Sequence, residues 1–277
     1  MIPNYIKWNF DPVFIDLGFI EIRWYAMMFI CAFIAGYFVM KKLFKRDGIS
    51  MAVLESLWIW VFFAVLIGAR LGHVLFYQPD YYFANPSEIL MTWKGGLSSH
   101  GAAFLVPVVL IFFAKKNKIP YLNLLDRVVI AFSLGGMFVR LGNLCNSEIY
   151  GHQTTMPWGF IFVRDGQTLP KHPTQLYEAI AVFLIFLALY KIFTKYYKKL
   201  PDGLIFGLFL TGLFTFRFFI EFIKEVQVEF EKNMEYDMGQ WLSIPLILFG
   251  IGLVIYSIMQ QRKKLLQTEI EKNIKSL

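Results

Sequence analysis

The run "LWIWVFFAVLIGA", residues 57–69, holds no charge and no proline, and Glu55 and Arg70 bracket it. With its flanks it makes an apolar stretch over 52–77, long enough to cross a hydrocarbon core of about 30 Å as a helix. Six further stretches of this kind fall at 24–41, 99–114, 122–142, 175–194, 203–223 and 239–260. Lipid offers the backbone no hydrogen bonds, and a helix satisfies its own N–H and C=O groups within one segment. The expected fold is therefore an all-α polytopic membrane protein of about seven transmembrane helices. We place a single seven-helix transmembrane domain, read as catalytic, over 1–260 and a basic cytoplasmic tail over 261–277. Composition agrees: 57% of the chain is hydrophobic and only 17% charged, where a soluble domain carries about 25% charged residues.

Basic residues orient the spans, because they accumulate on the cytoplasmic side. Segments 41–46, 115–118, 191–199 and the tail share one side and hold 16 of the 27 Lys and Arg residues; the opposite connections hold seven. This predicts an N-terminus outside, a cytoplasmic C-terminus and a small extracytoplasmic head formed by the loop 143–174. The opening residues lack a basic start followed by an apolar core, so no cleavable signal peptide is expected. The formal charge of +7 follows from this topology and gives no reason to invoke nucleic acid. Cys31 and Cys145 form no CxxC pattern and read as small apolar residues. The four histidines show no HxxxH or HExxH spacing, and no metal or other cofactor is expected.

Four arginines lie inside spans. Arg127 follows Asp126 near a cytoplasmic end, where snorkelling and an acidic neighbour explain it. Arg70, Arg140 and Arg217 fall instead in the outer parts of spans two, four and six, two of them in the similar motifs "ARLGHV" (69–74) and "VRLGNL" (139–144). One such arginine is usually an anchor at the interface, but three at one depth with polar neighbours point to a site. Glu221 lies four residues after Arg217, close enough to pair on one helix face. Asn143 and Asn146 extend the face of Arg140, and Glu148 and Gly151 follow. Ser98 or Ser99 can cap span three, with His100 in its first turn, where a neutral imidazole is a candidate general base. Gln175, Tyr177 and Glu178 open span five, Tyr25 opens span one and Gln240 opens span seven. Guanidinium forks match phosphate oxygens in two-point contact. The residues thus indicate an enzyme or carrier acting on an anionic lipid at the outer leaflet.

The segments "RWYAMMF" (23–29), "GARLGHVLFY" (68–77), "HG" (100–101), "RLGNLCNSEIYG" (140–151), "HPTQLYE" (172–178), "RFFIEF" (217–222) and "GQWLSIP" (239–245) together resemble the prolipoprotein diacylglyceryl transferase family. The resemblance implies a bacterial inner-membrane enzyme with phosphatidylglycerol as donor and a signal peptide's lipobox cysteine as acceptor. It implies thioether formation with release of glycerol 1-phosphate, on the extracytoplasmic side. It assigns catalysis to His100, Arg140, Arg217 and Tyr25. It assigns the lipid to Arg70, Arg140, Asn143, Asn146, Glu148, Gly151, Arg217 and Glu221, with Glu148 and Glu221 orienting the arginines. Gln175, Tyr177, Glu178, Lys224 and Gln240 would support them. Lys224 and His152 stand where relatives commonly carry arginine, and Leu213 where many carry tyrosine. The alternative reading is a transporter or flippase of anionic lipids, which should show polar groups through the inner half and a repeat about a midplane site.

Three stretches read as structural. Residues 10–24 alternate around Asp16-Leu17-Gly18 and suggest a short hairpin or surface-lying segment, with Trp8 and Trp24 in an aromatic belt. The segment 224–239 is acidic and reads as solvated. The tail after Gln260 is expected to be a charged helix or disordered.

Overall fold

The structure, a computed structural model, describes residues 5–19, 21–92, 95–226 and 234–276. Its helices are α1 (Trp24–Asp47), α2 (Met51–Phe76), α3 (Pro79–Ala84), α4 (Ser99–Asn117), α5 (Tyr121–Cys145), α6 (Thr174–Tyr196), α7 (Leu204–Ile220) and α8 (Met238–Ser276). All but the short α3 correspond to stretches long and apolar enough to cross a membrane, which gives the seven spans expected. The helix α8 runs without a break past Gln260 to Ser276, so the described part of the tail is helical. Residues 227–233 of the acidic segment lie outside the described residues.

Three short strands precede α1 and a fourth lies between α5 and α6. β2 (Val13–Asp16) pairs antiparallel with β3 (Glu21–Arg23), the hairpin expected in this stretch. Its turn is stabilised by the Gly18 N–H donating to Asp16 Oδ1 at 2.8 Å. β1 (Ile6–Trp8) pairs parallel with β4 (Phe160–Phe162), with Ile6 opposite Phe160. A satellite core of Leu144, Phe160 and Phe162, with Trp8 and Tyr150 against it, sits beneath that pair. Trp8 Nε1–H donates to the Leu144 carbonyl at 3.0 Å, which fixes the chain directly after α5. The loop 143–174 is thus a small folded unit containing β-structure.

Two compact units emerge, Met1–Val39 with Asp126–Leu277, and Met40–Leu125. In the first, α7 packs along α8 and against α6. Asp126 of α5 caps α7: its oxygens accept from Gly203 N at 2.7 Å and Phe206 N at 2.8 Å, satisfying donors that a helix start leaves unpaired. Arg127 does not snorkel. It is 2% exposed, donates to Tyr197 Oη at 3.2 Å and lies over the rings of Phe193 and Tyr197, a desolvated cation–π arrangement.

In the second unit α2 packs along α4 at very close range. A Cβ placed on Gly72 would fall 2.6 Å from Gly101 Cα, so only glycine permits this crossing. Ser50 Oγ caps α2 by accepting from Ala52 N at 3.3 Å. Ser98 holds the N-cap position of α4 but makes no side-chain cap bond there; its backbone N–H donates instead to Ala69 O at 2.8 Å.

Candidate functional site

In the first unit a chain of charges links four structural elements. Arg140, in the last turns of α5, places Nε 3.2 Å from Glu178 Oε2 in the first turns of α6. The other oxygen of Glu178 lies 3.8 Å from Lys224 Nζ. Lys224 Nζ is also 3.1 Å from Glu221 Oε1, and Glu221 Oε1 is 3.6 Å from Arg217 Nε at the end of α7. The order is Arg140, Glu178, Lys224, Glu221, Arg217, with signs alternating throughout. The three inner side chains are at most 7% exposed, whereas Arg140 is 21% and Arg217 35% exposed. Buried charges survive only with partners. Here Lys224 lies between the two carboxylates, and each carboxylate in turn holds an arginine at an accessible end. Gly239 makes room for this: a Cβ there would fall 2.6 Å from Glu221 Oε1. Gln240, next to it, donates from Nε2 to Phe218 O at 3.3 Å and accepts from Asp237 N at 3.1 Å, fixing the start of α8 against the end of α7.

A second set of contacts surrounds Arg140. Its Nη1 donates to Asn143 Oδ1 at 3.5 Å. Asn143 Nδ2 and Asn146 Nδ2 both donate to Glu148 Oε1, at 2.7 and 3.3 Å. Glu148 therefore orients the two asparagines, while the ion-pair partner of Arg140 is Glu178; the resemblance had led us to expect Glu148 in that place. Tyr25 lies over α5 at Gly142, where a Cβ would meet Tyr25 Cδ2 at 2.9 Å, and its phenol sits in the field of Glu148 and Arg140.

The turn after α5 has an unusual backbone. Ser147 has φ 56° and Ile149 φ 62°, and a β-branched residue in the left-handed region is a genuine outlier. Two adjacent residues of α6 hold this turn: Thr174 Oγ1 donates to Ile149 O at 2.8 Å and Gln175 Nε2 to Glu148 O at 2.6 Å. Gly151 follows, bridged to Lys224 and donating its N–H to His172 O at 2.8 Å. A Cβ on Gly151 would strike the Ile223 carbonyl, Thr174 and His172. Gly151 thus lets two backbones meet so that Lys224 reaches both carboxylates. Tyr177 points elsewhere, accepting from Trp158 Nε1 at 2.7 Å and lying 3.2 Å from His172 Nδ1. Burial, and then the neighbouring His152, hold the His172 pKa below its ordinary value.

The remaining expected residues, Arg70 and His100, belong to the second unit. His100 stands exposed in the first turn of α4. Arg70 needs a correction. It is 4% exposed and donates to the carbonyls of Ile89, Gly95, Gly96 and Glu88, with the Tyr82 ring 4.8 Å from its centre. Its fork is occupied by a loop's carbonyl oxygens, so it staples that loop to α2 and has little left for a phosphate. Thr174 was missed in the sequence although it lies inside "HPTQLYE", because a threonine at a helix start reads as a cap.

Fold and site together define a polytopic helical membrane protein with a buried ion-pair chain ending in two accessible arginines. The chain belongs to the prolipoprotein diacylglyceryl transferase family, whose model matches residues 12–256. It is 41% identical over 257 residues to a protein of Tolumonas auensis, covering 92% of this chain and 99% of that one. It is 41% identical over 263 residues to one from Bacteroides fragilis, covering 91% and 95%. It is 40% identical over 258 residues to one from Chloroherpeton thalassium, covering 93% and 96%. All three bear the name phosphatidylglycerol–prolipoprotein diacylglyceryl transferase.

Proposed function

We propose that this protein is a transferase that moves the diacylglyceryl group of phosphatidylglycerol to the lipobox cysteine thiol of a prolipoprotein. The observation that carries this reading is identity of about two residues in five with similarly named relatives across nearly the whole chain. The charge chain supports it, since its accessible ends suit a phosphate. In the reaction the cysteine sulfur attacks the glyceryl carbon bearing the phosphate ester and a C–S bond forms. The C–O bond breaks, and glycerol 1-phosphate leaves with the electron pair. Arg140 and Arg217 would stabilise charge as it accumulates on the departing phosphate. Glu178 and Glu221 orient their guanidinium groups. The thiol, with an ordinary pKa of about 8.5, must lose its proton. His100 is our assignment for the base, with Tyr25 the alternative. Asn143 and Asn146 would contact the headgroup. We place the reaction at the extracytoplasmic face of the bacterial cytoplasmic membrane, with the N-terminus outside.

The test uses purified protein with phosphatidylglycerol and a lipobox peptide carrying either cysteine or serine. A diacylglyceryl mass increase confined to the cysteine peptide, with equal release of glycerol phosphate, is expected. Arg140→Ala and Arg217→Ala should each lower the rate at least about 100-fold, the scale of losing one donor to a developing oxyanion. Normal turnover in either variant would remove it from the phosphate role. Lipid binding without transfer by the parent protein would favour a carrier of anionic lipids.

A further inference from the structure

The left-handed turn between α5 and α6 has no role in the reaction as described above, yet it is held with unusual care. Ser147 and Ile149, on either side of Glu148, both have positive φ. Ile149 gains nothing locally from that conformation, because its branched Cβ crowds its own backbone. Such a conformation persists only where its surroundings over-determine it. Here they act from both sides. From α5, the Asn143 carbonyl accepts from Glu148 N at 3.1 Å and the Leu144 carbonyl from Ser147 N at 3.0 Å. From α6, Thr174 and Gln175, both 0% exposed, donate to the consecutive carbonyls of Ile149 and Glu148.

The result is a defined position for the Glu148 carboxylate, and that position governs two amides. An ionised carboxylate only accepts hydrogen bonds, so Asn143 and Asn146 must both turn their Nδ2 groups toward Glu148. Their amide oxygens then face away from it. Asn143 Oδ1 meets Arg140, and Asn146 Oδ1 is buried with no hydrogen-bond partner among the described residues. Amides locked this way offer acceptors. Those oxygens suit the hydroxyl groups of a glycerol headgroup, and only the second N–H of each amide is left for a phosphate oxygen.

We infer that Thr174 and Gln175 are positioning residues, a latch that holds the strained turn so that Glu148 fixes Asn143 and Asn146 as acceptors for the headgroup hydroxyls of the lipid. This rests on the donor lipid proposed above. The latch acts on recognition of the lipid and leaves the thiol chemistry to other groups.

The parent protein in detergent is compared with Thr174→Val, Thr174→Ser, and Thr174→Val combined with Ile149→Gly. Valine keeps the methyl packing but removes the hydroxyl donor; glycine adopts positive φ without steric cost. Thr174→Val should raise KM for phosphatidylglycerol roughly tenfold, the scale of one lost buried hydrogen bond, with kcat changed less than about threefold. It should also lower Tm slightly while melting remains cooperative. Thr174→Ser should behave as the parent does, and adding Ile149→Gly to Thr174→Val should recover most of both changes. An unchanged KM, an equal defect in Thr174→Ser, a loss confined to kcat, or no recovery by Ile149→Gly would each overturn the latch. A parent protein that transfers no diacylglyceryl would instead refute the proposed function, and Tm recovery by Ile149→Gly would still test the latch.

Discussion

At the scale of single residues the protein works by deciding which way each hydrogen-bonding group points. Tyr177 takes the indole N–H of Trp158, so its own O–H is free to donate to His172 Nδ1. A donation in that direction uses a lone pair on Nδ1, which the neutral ring supplies, and burial followed by His152 lowers the His172 pKa. Because the folded value lies below the ordinary one of about 6.5, the unfolded chain takes up this proton first as pH falls. Stability is full above the unfolded value and is lost as pH drops through it toward the folded value. Melting measured at pH 7 and pH 5 should therefore fall more steeply in the parent than in His172→Gln. Equal slopes would place the acid sensitivity elsewhere. The same preference for partners explains where the sequence misled. Arg70 and Arg140 share the letters Arg-Leu-Gly, but a loop ending near Gly96 delivers carbonyl oxygens to Arg70, while Glu178 of another helix faces Arg140. The shared letters do not distinguish them; the residue three further on does differ, His73 against Asn143, but it does not reveal which partner each guanidinium takes. The pairing of Arg217 with Glu221 was legible because helical spacing alone brings residues four apart together.

At the scale of elements, close helix packing depends on where glycine falls. The crossing of α2 and α4 leaves no volume for a side chain at Gly101, whereas a Cβ on Gly252 of α8 would meet nothing within 4 Å. Gly101→Val should destabilise the protein by about 1–3 kcal/mol, the usual cost of overpacking, and Gly252→Val should be close to neutral. Detergent melting curves of the two variants check this; equal behaviour would mean that the crossing yields easily. The spans themselves were read from hydropathy because lipid imposes a length and a composition on any segment that crosses it. The parallel pairing of β1 with β4 was not legible. Three-residue strands separated by more than 150 positions have no measurable periodicity, and their pairing depends on the tertiary contacts around Leu144 and Phe162. The left-handed Ile149 was equally hidden, since no residue type advertises it.

At the scale of the whole molecule the unequal distribution of Lys and Arg sets a testable orientation. A fluorescent protein fused after the C-terminus should fluoresce in cells, and a cysteine placed at Asp16 should react with an impermeant thiol reagent added outside. A dark fusion together with a protected cysteine would invert the topology proposed here. The chain from Arg140 to Arg217 carries three positive and two negative groups. Taken by itself it carries one positive charge in excess, with Glu148 linked to its Arg140 end through Asn143. A lipid headgroup bearing a single negative charge would balance that excess, whereas a zwitterionic headgroup brings its own counterion. A membrane is mostly a mixture of these two kinds of lipid, and on the function proposed above the protein would sort its surroundings first by valence, before any shape is compared.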